Sequence, residues 1–376
     1  MNSRRLNAGL PRLSSSRQFS LFAGGVLSAL AAVLLSDWLR PKTPPAAFES
    51  PHYPPGYPLP SSENIQIKSE FTSSVSFRFK QPNWVAERRI AQGDEALGDR
   101  KKSEFLEDRT VPEIFRSRNG DYWDSGWSRG HLAPAGAHKT NQQVMDETFV
   151  LSSNIVPQDL SMNGADWLRL ENLVDWLVKK KKDIFVVSGP LWIPEVPGPM
   201  TVTYPVIGET QIPVPTHLFK IVMQSEPTIL GKKEAVAIFV MPNRPIPDER
   251  PLTSYQVELE HVEKASGLDF SAFRNKPDLC LIEKCNGGRS GDRVNSWRLY
   301  GDVQEAKGVK ELRALVKKGV DRGFLTESNF LLIKIMVEKA KKFGLRALED
   351  LFDDEKYRAA CLEGEKILRR KNGRSH

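Results

Sequence analysis

Cysteine and histidine are scarce in this sequence. Its 376 residues include three cysteines and six histidines. Cys280, Cys285 and Cys361 form a small and odd set, which does not suggest a disulfide framework. A four-cysteine zinc site is excluded by count alone. A zinc site that combined His131, His138 and a cysteine has little support, because every cysteine lies more than a hundred residues beyond the two histidines.

Acidic residues are missing from the start of the chain. The first acid is Asp37, and the arginines that precede it among serines and small residues are Arg4, Arg5, Arg12 and Arg17. Such a start is typical of a mitochondrial targeting segment. Residues 18–36 carry no charge, and as a helix they would span about 28 Å, close to a membrane core. We therefore expect residues 1–40 to be a mitochondrial targeting segment and single-pass anchor in the inner membrane. A cleaved secretory signal peptide is the alternative.

Proline marks the next boundary. Residues 41–62, PKTPPAAFESPHYPPGYPLPSS, hold eight prolines, so they cannot form a helix interior or a central strand. This composition predicts a linker between the anchor and a folded body. We expect that body to comprise residues 63–276. Beyond it the sequence pattern changes, and residues 277–376 are predicted to form a helical, wing-like region.

Hydrophobic patterning indicates a mixed body. Alternating or β-branched runs predict five strands: Val75–Phe79, Phe149–Ser153, Ile184–Ser188, Leu218–Val222 and Val236–Val240. Apolar residues at three- and four-residue steps predict a helix over about Met162–Lys180. Two or three amphipathic patterns follow in the C-terminal region: Val303–Lys318, Thr326–Lys342 and Leu348–Arg370. The fold class expected from this order is α+β with a C-terminal helical extension.

The positive charge of the chain is unevenly distributed. The net charge is +7, and residues 279–376 account for all of it, with 22 Lys and Arg against 15 Asp and Glu. The body is therefore not globally basic, so a nucleic-acid partner would have to be held by local patches or by the C-terminal region. A solvated, lysine-rich helical surface explains the same excess.

Three short motifs carry side chains that suit phosphodiester hydrolysis. The first is Ser128-Arg129-Gly130-His131, and the second begins at Asn154. The third spaces its members four residues apart, at Asn163, Trp167 and Glu171. At this spacing the three side chains share one face of a helix, with the tryptophan suited to packing against a sheet.

Each polar group has a use in such a reaction. A neutral His131 can take a proton from water, and the planar guanidinium of Arg129 can hold a phosphate oxygen. Mg²⁺ keeps most of its waters, so the oxygen of Asn163 would suffice as direct ligand, with Glu171 holding those waters. Taken singly, each residue also has a structural explanation: a core histidine, a helix cap, a surface carboxylate. Spacing alone does not decide between these interpretations.

Six separated motifs occur in a fixed order in this chain. SGWSRGHLAPAGAH, FVLSSNIVPQ, NGADWLRLE, FVVSGPLW, VPTHLFKIV and MPN together resemble the DNA/RNA non-specific nucleases of the ββα-metal (His-Me finger) superfamily. The resemblance covers about Glu63–Arg274. The family usually has Asp-Arg-Gly-His where this chain has Ser128 first. Together with the arginine-rich start and the C-terminal helices, that change resembles the endonuclease-G-like mitochondrial exonuclease branch.

The resemblance implies a role for each site residue. His131 matches the general base, and Asn163 matches the single direct ligand of Mg²⁺, with Mn²⁺ as an alternative ion. Arg129 matches the arginine that supports phosphate binding. Asn154 and Glu171 match residues that organise the site and the waters of the metal.

The resemblance also implies an activity and partners. Similar nucleases are homodimers that cut single- and double-stranded DNA, and RNA less well, with 5′-3′ exonuclease action in mitochondrial DNA repair or degradation. Ser128 leaves the function of the usual aspartate open, and His138 and His217 have no catalytic counterpart, so we expect both histidines to be structural. The alternatives are a catalytically weak nucleic-acid-binding member of the family and an endonuclease-G-like or secreted scavenging endonuclease.

Overall fold

A computed structural model describes residues 50–91, 97–180, 183–194, 200–229, 231–247, 249–285 and 290–372. The chain divides into two compact units, Met1–Ala47 and Phe48–His376, and every described residue belongs to the second. The predicted targeting and anchor segment, residues 1–40, lies outside the described residues. None of the helices that are described is long and apolar enough to cross a membrane.

A six-stranded antiparallel sheet forms the centre of the fold. Its strands are hydrogen-bonded in chain order: β1 (Ile65–Ile67), β2 (Phe71–Ser76), β3 (Gln81–Arg89), β6 (Asp183–Leu191), β9 (His217–Thr228) and β10 (Gly231–Pro242). Two small hairpins stand apart from it: β4 (Ser128–His131) with β5 (Ile155–Gln158), and β7 (Val206–Ile207) with β8 (Ile212–Pro213).

The helices, numbered in chain order, surround the sheet and extend beyond it. They are α1 (Asn119–Tyr122), α2 (Gln142–Glu147), α3 (Leu151–Asn154), α4 (Leu160–Met162), α5 (Leu168–Lys179), α6 (Leu259–Ser266), α7 (Leu279–Glu283), α8 (Asp292–Glu305), α9 (Val309–Asp321), α10 (Phe330–Lys342) and α11 (Glu355–Asn372). A π-helical turn, Asn163–Trp167, joins α4 to α5 without a break. The helix predicted over Met162–Lys180 is therefore present, with a π turn near its start.

Two hydrophobic layers cover the two faces of the sheet. Successive side chains of a strand point to opposite faces, so in β6 Val186 belongs to one layer and Val187 to the other. Helix α5 covers the first layer with Leu170 and Leu177, and the second layer includes Phe270, which follows α6. This arrangement confirms the expected α+β fold and explains why β6 is apolar along most of its length.

The strand predictions were right in the sheet centre and wrong at two places. The predicted runs in β6, β9 and β10 lie within those strands, and the run Val75–Phe79 overlaps only the end of β2. Phe149–Ser153 is not a strand, because Leu151–Asn154 forms α3, whose four residues are all buried. When every side of a segment is buried, its apolar residues show no periodicity, so the pattern cannot distinguish a helix from a strand.

Part of the predicted proline-rich linker belongs to the folded body. Tyr53 is 2% exposed, and its ring lies 6.5 Å from that of Trp84 and 5.8 Å from that of Phe273. His52 is also buried, with Nδ1 2.9 Å from the Thr72 hydroxyl. Residues 50–62 therefore do not form a free tether. The side chains of His52 and Tyr53, which interrupt the prolines, pack against the sheet.

The C-terminal region has a core of its own and a firm junction with the body. Helices α8 to α11 share a hydrophobic cluster that includes Leu299, Val316, Ile333 and Met336. The predicted helix Val303–Lys318 is two helices, because α8 ends at Glu305 and α9 begins at Val309. Before α8, the structure joins Cys280 and Cys285 in a disulfide, which the small cysteine set did not suggest.

Candidate active site

The predicted site residues converge on one pocket of about 590 Å³. Two of the three motifs reach it, one from strand β4 and the other from the continuous helix formed by α4, the π turn and α5. The predicted residues that line it are Arg129, His131, Asn163 and Glu171, together with Ser128. Asn154 does not line it.

Strand β4 carries the first motif into the pocket. It pairs antiparallel with β5, so that Ser128 lies opposite Gln158 and His131 opposite Ile155. Between them, a Cβ atom on Gly130 would lie 2.1 Å from the side chain of Gln158. Only glycine therefore allows this close approach, and the motif residues on either side of it keep their places in the pocket.

Asn154 acts from beneath the pocket. The side chain is fully buried; its Nδ2 donates to the carbonyls of Ala133 and Thr148 at 2.9 and 2.7 Å, and its Oδ1 accepts from the Ala133 amide at 2.8 Å. Because Ala133 comes two residues after His131, these bonds hold the turn that leaves β4. Asn154 is thus placed to organise the site without touching a substrate.

The His131 ring is enclosed by aromatic side chains. It is 8% exposed, and its centroid lies 5.5 Å from that of Phe105 and 4.8 Å from that of Phe149. Burial, assisted by the nearby positive charge of Arg100, lowers the pKa of His131 to about 3. The imidazole is therefore neutral at physiological pH. Its Nε2 is buried and has no hydrogen-bond partner among the described residues.

Asn163 opens the π turn. Its backbone N–H donates to the carbonyl of Asp159 at 2.9 Å, and the Asp159 carboxylate caps the helix by accepting from the Met162 amide at 2.8 Å. Its side-chain Nδ2 donates to the Ser128 hydroxyl at 3.3 Å, and that hydroxyl donates to the Gln158 carbonyl at 2.8 Å. This contact uses the amide nitrogen of Asn163, so its carbonyl oxygen is the atom suited to a cation. Single π turns of this kind are frequent at functional sites.

Glu171 lines the same pocket two helical turns later. Burial raises the pKa of Glu171 to about 7, although the nearby ammonium of Lys220 opposes the shift. Lys220 is 1% exposed; its Nζ donates to the Ser188 hydroxyl at 2.7 Å and lies 4.5 Å from the centre of the Trp167 ring. Burial also lowers the pKa of Lys220, despite the carboxylates around it. The carboxyl of Glu171 is therefore poised to change its charge near neutral pH.

A network of buried charges lies in the sheet behind the pocket. His138 is held between two carboxylates, with Nδ1 2.9 Å from Glu70 and Nε2 2.8 Å from Glu87. Burial acts against protonation, but these two contacts raise the pKa of His138 above its usual value. Arg89 continues the network, bound to Asp175 at 2.6 Å. Both ring nitrogens of His138 are thus engaged by carboxylates, and His138 does not line the active-site pocket.

Arg129 and other basic residues form the rim. The Arg129 guanidinium donates to the Asn119 side chain at 2.9 Å and stacks 4.3 Å from the centre of the Phe105 ring. Further cations line the same pocket at Arg100, Lys139 and Arg293. These three residues could not be predicted from the sequence, because no spacing relates them to the motifs, and Arg293 comes from the C-terminal region.

The C-terminal region supplies one wall of the pocket. Trp297 of α8 lies against Gly164 of the π turn, where a Cβ atom would be 2.3 Å from the indole ring. The Ser161 hydroxyl donates to the Trp297 carbonyl at 3.0 Å, and Arg298 donates to the buried Asp166 at 3.2 Å. Gly164 of the NGADW motif is therefore the position at which α8 packs closely against the π turn.

Asn243, in the MPN motif, fastens the strand-to-helix junction. Its Oδ1 accepts from the Asp159 amide at 2.8 Å, and its Nδ2 donates to the carbonyls of Pro157 and Pro215 at 3.0 and 2.8 Å. The residue is 4% exposed. It joins the end of β5, the cap of α4 and the segment before β9, and so positions the helix that carries Asn163.

These residues fit a single hard divalent cation. An amide oxygen, a carboxyl that becomes ionised near pH 7 and room for water meet the preference of Mg²⁺ for few protein oxygens and several waters. His131 lines this pocket, and its buried Nε2 still lacks a hydrogen-bond partner among the described residues. The described residues contain no group of three or more His, Cys, Asp or Glu side chains that could hold a metal ion.

A two-stranded hairpin with a histidine at the end of its first strand, followed by a helix with an asparagine in its first turns, defines a nuclease of the ββα-metal class. The sequence model of the DNA/RNA non-specific endonuclease family matches residues 48–278. The chain belongs to this family.

Known relatives agree with this placement. The chain is 34% identical over 340 residues to the mitochondrial nuclease EXOG of Xenopus laevis, which covers 87% of this chain and 92% of that protein. It is 40% identical over 222 residues to the mitochondrial nuclease of Saccharomyces cerevisiae, covering 57% and 67%. The solved structure of the EndoG/EndoGI complex matches 58% of this chain and 89% of its own, with 35% identity and a TM-score of 0.52. The predicted EXOG-like branch is confirmed.

Proposed function

We propose that this protein hydrolyses phosphodiester bonds of DNA, and of RNA less well, with Mg²⁺ as cofactor and Mn²⁺ as an alternative ion. The observation that carries the proposal is the meeting of His131, Asn163 and Glu171 at one pocket. A histidine kept neutral by burial, an amide oxygen and a carboxyl are the groups that this reaction needs.

Each side chain has a defined task in the proposed reaction. Neutral His131 accepts the proton of the attacking water. Arg129, stacked on Phe105, holds a phosphate oxygen through its planar donors. Asn163 and Glu171 would hold the divalent cation and its waters. A cation bound there would offset the negative charge on the phosphate and on the leaving oxygen.

The proposed setting is the mitochondrion. Relatives that are named as mitochondrial nucleases support it, as does the acid-free, arginine-rich start of the chain. Within this setting we propose a single-pass anchor in the inner membrane, a homodimer, 5′-3′ exonuclease action and a role in DNA repair or degradation. The wall that α8 builds beside the pocket supports action at a strand end, because it closes one side of the site.

Product analysis tests the activity. The full chain is incubated with 5′-labelled single- and double-stranded DNA and RNA, in Mg²⁺ and then in EDTA. Short products released from the 5′ end, and only with the metal, are expected. Cutting that survives EDTA would reject the metal, and random internal cuts would favour an endonuclease-G-like enzyme.

Two variants separate catalysis from binding. His131→Ala should lose at least about 10²-fold in kcat while it retains DNA affinity, because it removes only the proton acceptor. His261→Ala is the matched control, since His261 is exposed on α6. If the wild type binds DNA and cuts nothing with Mg²⁺ or Mn²⁺, the protein is the catalytically weak member of the family.

A further inference from the structure

A second pocket adjoins the active site. It has a volume of about 540 Å³, and Trp127, the residue before the Ser-Arg-Gly-His motif, lines both pockets. The half-buried indole packs in a small cluster with Tyr122 and Val214. A nucleic acid bound in the active site would therefore lie beside the Trp127 side chain that the second pocket shares.

The chemistry of the second pocket differs from that of the first. The active-site pocket includes Glu171 and Asp175, whereas no carboxylate is among the described residues that line the second. Its walls are largely proline and aliphatic, for example Pro194 and Pro215, and its polar lining includes the exposed Arg244. An apolar wall beside an aromatic ring accepts a base, and a cation without a carboxylate neighbour accepts a phosphate.

The pocket is rigidly joined to the catalytic hairpin. Asn243, which lines it, donates to the carbonyls of Pro157 in β5 and of Pro215 in the pocket wall. Trp127 comes directly before β4, in the same chain segment as His131. A ligand unit in the second pocket would thus be held at a constant offset from the site of cleavage, which is what a binding subsite requires.

We propose that this pocket is a nucleotide subsite: it holds one nucleotide that flanks the scissile bond, with its base against Trp127 and its phosphate on Arg244. The proposal rests on the nuclease function above and adds to it a binding contact that only substrates of sufficient chain length can make. Because a base stacks through its π face, the subsite is tolerant of sequence. It predicts that short substrates bind less well than substrates long enough to reach it.

The experiment compares two substrates with the full chain in Mg²⁺. One is bis(p-nitrophenyl) phosphate, a diester with a single phosphate, so that with this phosphate in the active site it has none to place on Arg244. The other is a series of 5′-labelled oligothymidylates of increasing length. For the wild type, KM should fall about tenfold at the length at which the subsite fills, as one good base-stacking contact implies.

Variants locate the effect. Arg244→Gln should raise KM for long oligonucleotides about tenfold and leave cleavage of the small diester within twofold. Trp127→Leu should raise the same KM by a similar factor, and Trp127→Phe should restore most of the affinity because it keeps an aromatic face. Arg274→Gln, which removes an exposed guanidinium outside both pockets, is the control.

Three results would overturn the subsite. One is a loss of small-diester cleavage in Arg244→Gln equal to its loss on oligonucleotides, which would place Arg244 in the catalytic site. Another is an unchanged KM in both Arg244→Gln and Trp127→Leu. The third is a change of oligomeric state with unchanged KM, which would make the pocket a protein interface. A wild type that cleaves neither substrate would instead reject the proposed function itself.

Discussion

Removal of the Asn243 side chain should destabilise the protein by several kcal/mol. Asn243→Ala removes a hydrogen bond from each of three buried backbone groups: the amide of Asp159 and the carbonyls of Pro157 and Pro215. An unsatisfied buried group costs about 1–3 kcal/mol, and water that enters the cavity recovers part of that cost. We therefore expect the free energy of unfolding to fall by about 3–5 kcal/mol, a large value for one substitution.

Asn243→Asp provides a sharper comparison, because it has nearly the same shape. Its carboxylate can still accept from the Asp159 amide, but it offers no donor to the two proline carbonyls and places negative charge against them. It should therefore be at least as destabilising as Asn243→Ala. Asn329→Ala is the matched control: Asn329 makes one part-buried bond, to the Phe324 carbonyl at 3.0 Å, and its loss should cost about 1 kcal/mol.

Urea denaturation measures the free energies of unfolding, and titration of nuclease activity with Mg²⁺ measures how well the site holds the metal. Because Asn243 holds the cap of the helix that carries Asn163, the folded fraction of Asn243→Ala should need about tenfold more Mg²⁺ for half-maximal activity. An Asn243→Ala protein within 1 kcal/mol of the wild type, or an Asn243→Asp protein of wild-type stability, would refute the reasoning.

Three further predictions follow from the site and its surroundings. Burial raises the pKa of Glu171 to about 7, so its ionised fraction falls about tenfold from pH 8 to pH 6. The Mg²⁺ concentration for half-maximal activity should rise by a similar factor. Glu171→Gln should abolish that pH dependence, and a pH dependence that persists would show that another group causes it. Gly164→Ala should lower the free energy of unfolding by about 1–3 kcal/mol and reduce activity, because the added methyl would overlap the Trp297 ring. Thermal melting and a cleavage assay measure the two effects. Wild-type values for both would contradict the close packing of α8 against Gly164. The pKa of His138 is raised in the folded state. Its contribution to the free energy of unfolding is therefore complete below about pH 6.5 and is lost as pH rises through the folded-state pKa. His138→Gln should lower stability by about 3 kcal/mol at pH 6 and by less at pH 9, and an equal loss at both pH values would show that His138 is not charged.

Much of the sheet could be predicted from the sequence because its centre is buried on both faces. Strands β6, β9 and β10 are apolar or β-branched over most of their inner length, a pattern that depends only on local burial. Strand β3 could not be predicted, for the opposite reason. It contains Glu87 and Arg89, whose burial depends on partners such as His138 and Asp175 that are distant in the sequence.

The same distinction applies to the site. The i, i+4, i+8 spacing is a property of one helix, so the residue pattern is enough to bring Asn163 and Glu171 towards one pocket, whereas Trp167 between them is fully buried in the core. The π turn that begins at Asn163, and the buried Lys220 beneath Trp167, could not be predicted in this way. Both depend on how the helix sits on the sheet.

The sequence alone determined the class of chemistry, through the order of its motifs. It also determined the helix that carries the proposed metal ligand and the central strands β6, β9 and β10, because these depend on residue type and local periodicity. Tertiary structure alone decided which distant groups share the pocket. It brought in Arg293 and Trp297 from α8, made Asn243 the link between β5 and α4, and packed residues 50–62 onto the sheet. Contacts between segments far apart in the chain leave no spacing to detect, since each depends on the path of the whole backbone.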